Sequence, residues 1–257
     1  MLFERIDLRE VSRAVGSLGV DGWLIYDFHG ANPVAKRVVG YGGMATRRLF
    51  VWIPASGEPV ALVHRIEMQP MEGFPGVIVP YSTWAELGSA LGKVISGKRA
   101  AMEISPADAV PYLDRVPFGV VDLIRGLGAE VVESSDLVSR FAARWSAQEL
   151  EDHLAAAEIL ASVARSNIRF AQQRVGSITE HELQARVIAE LEQNGLKVAD
   201  PPIVGFGPNS ALPHYEPSAA NSVALGADEV ILLDLWAGKS LETVFADQTW
   251  MGFSGAT

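Results

Sequence analysis

Two short apolar runs in the last part of the chain, Glu229–Trp236 and Thr243–Phe253, each carry one aspartate near the middle. Both are rich in Val, Ile, Leu, Phe and Trp, and the turn-prone Ala237-Gly238-Lys239-Ser240 lies between them. The pattern predicts a β-hairpin with a carboxylate set into each arm. Asp234 and Asp247 are 13 residues apart. Symmetric pairing about the Ser240–Leu241 midpoint would place them directly opposite on one face, with Cβ atoms about 5 Å apart. Like charges so placed repel, and burying either without a partner costs several kcal/mol. A shared proton or a bound cation would relieve the conflict. The alternative is a skewed hairpin that leaves one aspartate at a solvated strand end.

Upstream, Asn209-Ser210-Ala211-Leu212-Pro213-His214-Tyr215-Glu216-Pro217 is turn-rich, and its two prolines hold it extended. A neutral imidazole at His214 can touch substrate or metal; a lone loop histidine can equally be solvated. Gly205-Phe206-Gly207-Pro208 begins like a dinucleotide fingerprint, but Pro208 and the missing third glycine spoil it. There is no P-loop, zinc-protease helix or nucleophile elbow.

The totals narrow the class. The chain has 257 residues, no cysteine and a net charge of −10 without a block of like charges. Disulfides, zinc–thiolate sites and cysteine nucleophiles are excluded, and nucleic acid is a poor partner for such a surface. No apolar run approaches a membrane span. The N-terminus lacks the basic start and apolar core of a signal peptide, so the expected location is cytoplasmic.

In chain order, Asp7 caps a helix running to about Leu18, and strands are expected at 23–28, 49–53 and 59–64. Thr83 with Glu86 opens a helix through a capping box. A strand at 98–103, a helix at 117–126, a strand at 129–132 and a helix at 134–143 complete an α/β domain over residues 1–143. Asn32, Arg47, Arg48, His64 and Glu67 fall near strand ends, as cleft residues or as ordinary surface. A boundary falls near Arg144, and the second domain covers 144–257. Ser146 and Glu149 form a capping box for a long helix to about Arg174, with Leu150, Leu154, Ala157, Leu160 and Ala161 expected on its buried stripe. His153 reads as structural. A second helix opens at Thr179-Glu180-His181-Glu182, buries Leu183, Val187 and Leu191, and closes at Gly195. His181 and Glu182 are adjacent and point apart, which argues against ligation.

The histidine loop followed by Leu232-Leu233-Asp234-Leu235 and Asp247-Gln248-Thr249 resembles the pita-bread (M24) metallopeptidase family. That family includes Xaa-Pro aminopeptidases, prolidases, methionine aminopeptidases and creatinase. The first half, with pieces such as Asp21-Gly22-Trp23-Leu24-Ile25-Tyr26-Asp27-Phe28, resembles the creatinase-type N-terminal domain. The resemblance implies an α/β N-terminal domain followed by the first half of an α+β pita-bread domain. It makes Asp234 and Asp247 metal ligands and His214 a substrate-side residue. It also implies two divalent ions (manganese, cobalt or zinc), a small peptide substrate with proline second, and a homodimer.

Three departures stand out. The aspartates are about two residues further apart than in the family, which preserves their facing. Trp250 stands where an arginine is common. The family also draws a histidine and two glutamates from a later part of the chain, and no residue here supplies them. The expectation is therefore the front part of a longer enzyme, inactive by itself, with the ions absent or weakly bound. The rival readings are a non-catalytic peptide- or protein-binding module, and a creatinase-like hydrolase of a non-peptide C–N bond.

Overall fold

The structure, a computed structural model, describes residues 1–43 and 45–255. Met44, Ala256 and Thr257, the last two ending the expected second domain, lie outside the described residues. Two compact units divide the chain, Met1–Arg144 and Trp145–Thr257.

In the first unit the elements run α1 (Leu8–Ser17), β1 (Gly22–Asp27), α2 (Pro33–Val39), β2 (Leu49–Pro54), β3 (Val60–His64), β4 (Val77–Tyr81) and α3 (Trp84–Ile95). They continue with β5 (Arg99–Met102), α4 (Phe118–Gly126), β6 (Glu130–Glu133) and a short α5 (Ser135–Leu137) that widens into a π-turn. The strands form one sheet in the order β4-β3-β2-β1-β5-β6. β2 runs antiparallel to both neighbours, and the remaining pairs are parallel. Every residue of β1 is buried. Trp23 and Ile25 enter one core cluster and Leu24 and Tyr26 the other, as the two-residue period of a doubly covered strand requires. The Asp7 cap is made, with its carboxylate accepting from Arg9 N–H, and the Thr83–Glu86 capping box is present.

Among the polar residues near strand ends, Asn32 is buried and caps α2, accepting from Val34 N–H at 3.0 Å. Glu67 accepts from Thr46 N–H and Oγ1 and from Arg47 N–H, so burial's upward push on its carboxyl is outweighed and it is held low. Arg48 lies over the Phe28 and Trp84 rings. Glu103, which follows β5, is fully buried. It accepts from Trp23 Nε1 at 2.6 Å, Asn32 Nδ2 at 3.0 Å and Ser134 Oγ at 3.1 Å. Burial pushes its carboxyl up to about 7, against the lowering effect of those three donors.

The second unit holds α6 (Ala147–Gln172), α7 (Glu180–Gln193), β7 (Ile203–Phe206), β8 (Val230–Ala237) and β9 (Ala246–Phe253). Both helices open on capping boxes, Ser146–Glu149 and Thr179–Glu182. They cover one side of the antiparallel sheet β7-β8-β9. The expected α6 stripe is corrected: Leu150 and Leu154 are about half exposed, at 47% and 54%. The buried line is Glu149, Ala156, Leu160, Val163, Ala164, Asn167 and Ala171. Small residues on that line let the sheet approach closely, so the helix turns its alanines inward. His153 reaches the Phe245 carbonyl oxygen with Nδ1 at 3.1 Å and packs against the Trp145 ring, a structural role.

Candidate functional site

The site grows from the alternation in β8. Ile231, Leu233, Leu235 and Ala237 turn to the helices and are fully buried. That leaves Asp234 and Trp236 on the opposite, open face. β9 pairs with β8 so that Asp234 faces Thr249 and Trp236 faces Asp247. The two aspartates therefore share one face but sit diagonally, offset by two residues, and not directly opposite as symmetric pairing about Ser240–Leu241 would have it. Strand pairing ends at the small, buried pair Ala237 and Ala246. There Gly238 bridges Lys197, and the Phe245 ring fills the space a Gly238 side chain would need. These anchors move the hairpin centre by one residue and the register by two. An even shift keeps every side chain on its face.

The offset changes the energetics. Diagonal Cβ atoms stand about 7 Å apart, where two unit charges repel by roughly 0.6 kcal/mol in water and about 2 kcal/mol near a protein surface. Asp247 is exposed, and Asp234 is half-buried with Oδ1 accepting from Thr249 Oγ1 at 2.5 Å. Such a pair is tolerable without a cation. The repulsion argued for direct opposition does not operate here.

Both carboxylates line a cleft of about 440 Å³ together with His214, Trp236, Asp200 and Glu216. The exposed His214 is brought there by the long segment between β7 and β8. Four carboxylates and one imidazole make the cleft a place for cations. Asp200 and Glu216 were missed in the sequence, since neither belongs to a spacing pattern and both lie beside prolines in turn-like stretches. His181 and Glu182 lie outside the cleft lining; Glu182 is spent on the α7 cap, and His181 N–H donates to Ser222 Oγ.

As a metal site the donor set is partial. Two aspartates on one face, diagonal across the hairpin, are hard oxygen ligands suited to a divalent cation. Among the described residues, however, no three His, Asp or Glu gather closely enough to hold an ion. The residues present fit one wall of such a site.

Residues 151–257 match the sequence model of metallopeptidase family M24. No curated protein matches it. Among solved structures, dipeptidase PepE from Mycobacterium ulcerans superposes with a TM-score of 0.71 at 19% identity, over 95% of this chain and 62% of that one. A recombinant prolidase from Thermococcus sibiricus gives 0.65 at 21% identity, over 98% and 65%. A Xaa-Pro dipeptidase from Bacillus anthracis gives 0.63 at 17%, over 95% and 63%. The chain thus spans less than two thirds of the length of these structures. Its fold is theirs: an α/β N-terminal domain followed by part of a pita-bread domain.

Proposed function

We propose that this chain is part of a metal-dependent peptidase acting on small peptides with proline in the second position. The observation that carries the reading is the placing of Asp234 and Asp247 on one open face of a single hairpin, in a cleft shared with His214. The match of residues 151–257 to the M24 model and the shared fold support it.

Asp234 and Asp247 would hold divalent ions, with further ligands coming from outside the residues described. When bound, such ions supply Lewis acidity toward the scissile carbonyl and lower the pKa of water. The chain's own residues do the rest. Thr249 donates to Asp234 Oδ1 and so fixes which carboxylate oxygen is left free. Trp236 gives the cleft an apolar wall against which a proline ring can lie. His214, which lines the same cleft, would hydrogen-bond the substrate. We also place the protein in the cytoplasm, where a chain without cysteine is at home. Among the described residues no helix is long and apolar enough to cross a membrane.

Manganese titration followed by electron paramagnetic resonance tests the reading. Weak binding is expected in the wild type, reduced about tenfold or more in Asp234→Asn and in Asp247→Asn, since each removes a charged ligand. Equal affinity in all three proteins would sink the metal reading and favour the binding-module alternative. With two ligands in place, turnover of Ala-Pro by this chain in manganese or cobalt is expected to be negligible; robust hydrolysis would overturn the partial-site reading.

A further inference from the structure

One buried carboxylate in the second unit takes no part in capping, ion pairing or the cleft. Glu180 is the first residue of α7, and its side chain is fully buried. The helix cap is made by Thr179 and Glu182, so Glu180 is surplus to it. Its two oxygens are saturated by four donors, none of them a cation. Oε1 accepts from Phe206 N–H at 2.8 Å and from Asn209 Nδ2 at 3.0 Å. Oε2 accepts from Tyr215 OH at 2.7 Å and from Val223 N–H at 3.1 Å. Glu180 N–H in turn donates to the Val223 carbonyl oxygen at 3.2 Å.

Those donors are not scattered. Phe206 ends β7, Asn209 lies in the turn that follows, Tyr215 is the neighbour of His214, and Val223 lies where the segment returns toward β8. A single carboxylate at a helix N-terminus, where negative charge is favoured, thus grips both ends and the middle of the segment bearing the cleft histidine. Long connections with little secondary structure of their own are uncommon in compact units and are usually functional. This one is tied at four points to one side chain.

We infer that Glu180 is a positioning residue for His214, holding the loop from Gly207 to Val223 so that the imidazole faces the aspartate pair. The inference rests on the reading of His214 as the substrate-facing residue. Glu180 acts through Tyr215 and does not itself touch the cleft.

The test combines hydrogen exchange with nuclear magnetic resonance of the His214 ring in the 257-residue chain, assigned with His214→Ala and titrated with Ala-Pro in the presence of manganese-free magnesium. Because Glu180→Gln turns a buried acceptor into a donor facing backbone N–H groups and can weaken the whole unit, Tyr215→Phe is the companion variant. It removes one hydroxyl, which also reaches the Asn221 carbonyl oxygen at 3.3 Å, and leaves the other three bonds to Glu180. Exchange in the peptides around 212–218 is expected to rise about tenfold in Tyr215→Phe, the effect of losing one charge-assisted hydrogen bond, with α6 unchanged. The shift of the His214 signal on adding Ala-Pro should shrink in step, and Glu180→Gln should lose it. Unchanged loop exchange and an unchanged His214 response in Tyr215→Phe overturn the inference. A wild-type His214 signal that ignores Ala-Pro overturns the substrate reading instead, and loop exchange alone then decides the role of Glu180.

Discussion

Glu103 ties the stability of the first unit to pH. Its carboxyl is pushed up to about 7 from an ordinary 4.5 by burial, even though Trp23, Asn32 and Ser134 donate to it. The folded state therefore holds a proton that the unfolded chain releases. With a folded pKa raised above the unfolded one, stability is greatest below about 4.5 and is lost as pH rises toward 7, then levels off. The rise from 4.5 to about 7 makes the loss roughly 3 kcal/mol. Glu103→Gln cannot ionise and should abolish that slope. The amide oxygen can still accept from Trp23 and Ser134, but the amide nitrogen faces Asn32 Nδ2, whose own oxygen is committed to Val34 N–H. The variant therefore starts about 1–3 kcal/mol less stable at pH 5 and approaches or exceeds the wild type at pH 8. Urea unfolding at pH 5, 6, 7 and 8, read by hydrogen exchange in the β1 and β5 peptides, measures both curves. Parallel curves for wild type and variant across that range would refute the argument, because a difference in slope between them is what the proton on Glu103 must produce.

Other outcomes follow from the second unit. A side chain at Gly252 would put Cβ 2.5 Å from Ile168 Cγ2 on α6, so Gly252→Ala should cost about 1–3 kcal/mol by overpacking, seen as a lower urea midpoint. Ser146→Ala removes the oxygen that accepts from Glu149 N–H at 3.1 Å and should cost about 1 kcal/mol in the same assay. β9 is an edge strand with Met251 and Phe253 exposed at 58% and 36%. We expect it to recruit a second copy, with light scattering reporting a dimer and Met251→Lys a monomer; a wild-type monomer at tens of micromolar would count against the pairing.

What could be read in advance was whatever had a period or a fixed spacing. β1, two of the capping boxes and the α7 face follow directly from a short apolar run, from Ser or Thr three residues before Glu, and from Leu183, Val187 and Leu191. β4 escaped because Pro80 interrupts Val77-Ile78-Val79, yet at the sheet edge a missing N–H costs no ladder bond. α2 was not read: Asn32-Pro33 is a cap followed by a proline at the first turn, but seven residues leave too little period to see. The α6 stripe went wrong because leucines draw the eye while alanines fill the contact. At the site, the facing of the aspartates survived because parity depends only on whether a shift is even; their separation did not, because the packing of Phe245 on Gly238 sets the register. Glu180 left no trace, since an extra acid in a helix's first turn looks like ordinary charge complementarity.

The four bonds to Glu180 carry a thermodynamic consequence for whatever enters the cleft. Freezing a flexible loop costs on the order of 1–2 kcal/mol per residue, and here that cost falls on folding of the chain itself. A ligand meeting His214 finds the loop already ordered, so little of its contact energy is diverted into immobilising protein. Recognition at this histidine should accordingly show a small entropy penalty on the protein side, and short peptides, with few contacts to offer, are the ligands that gain most from such rigidity.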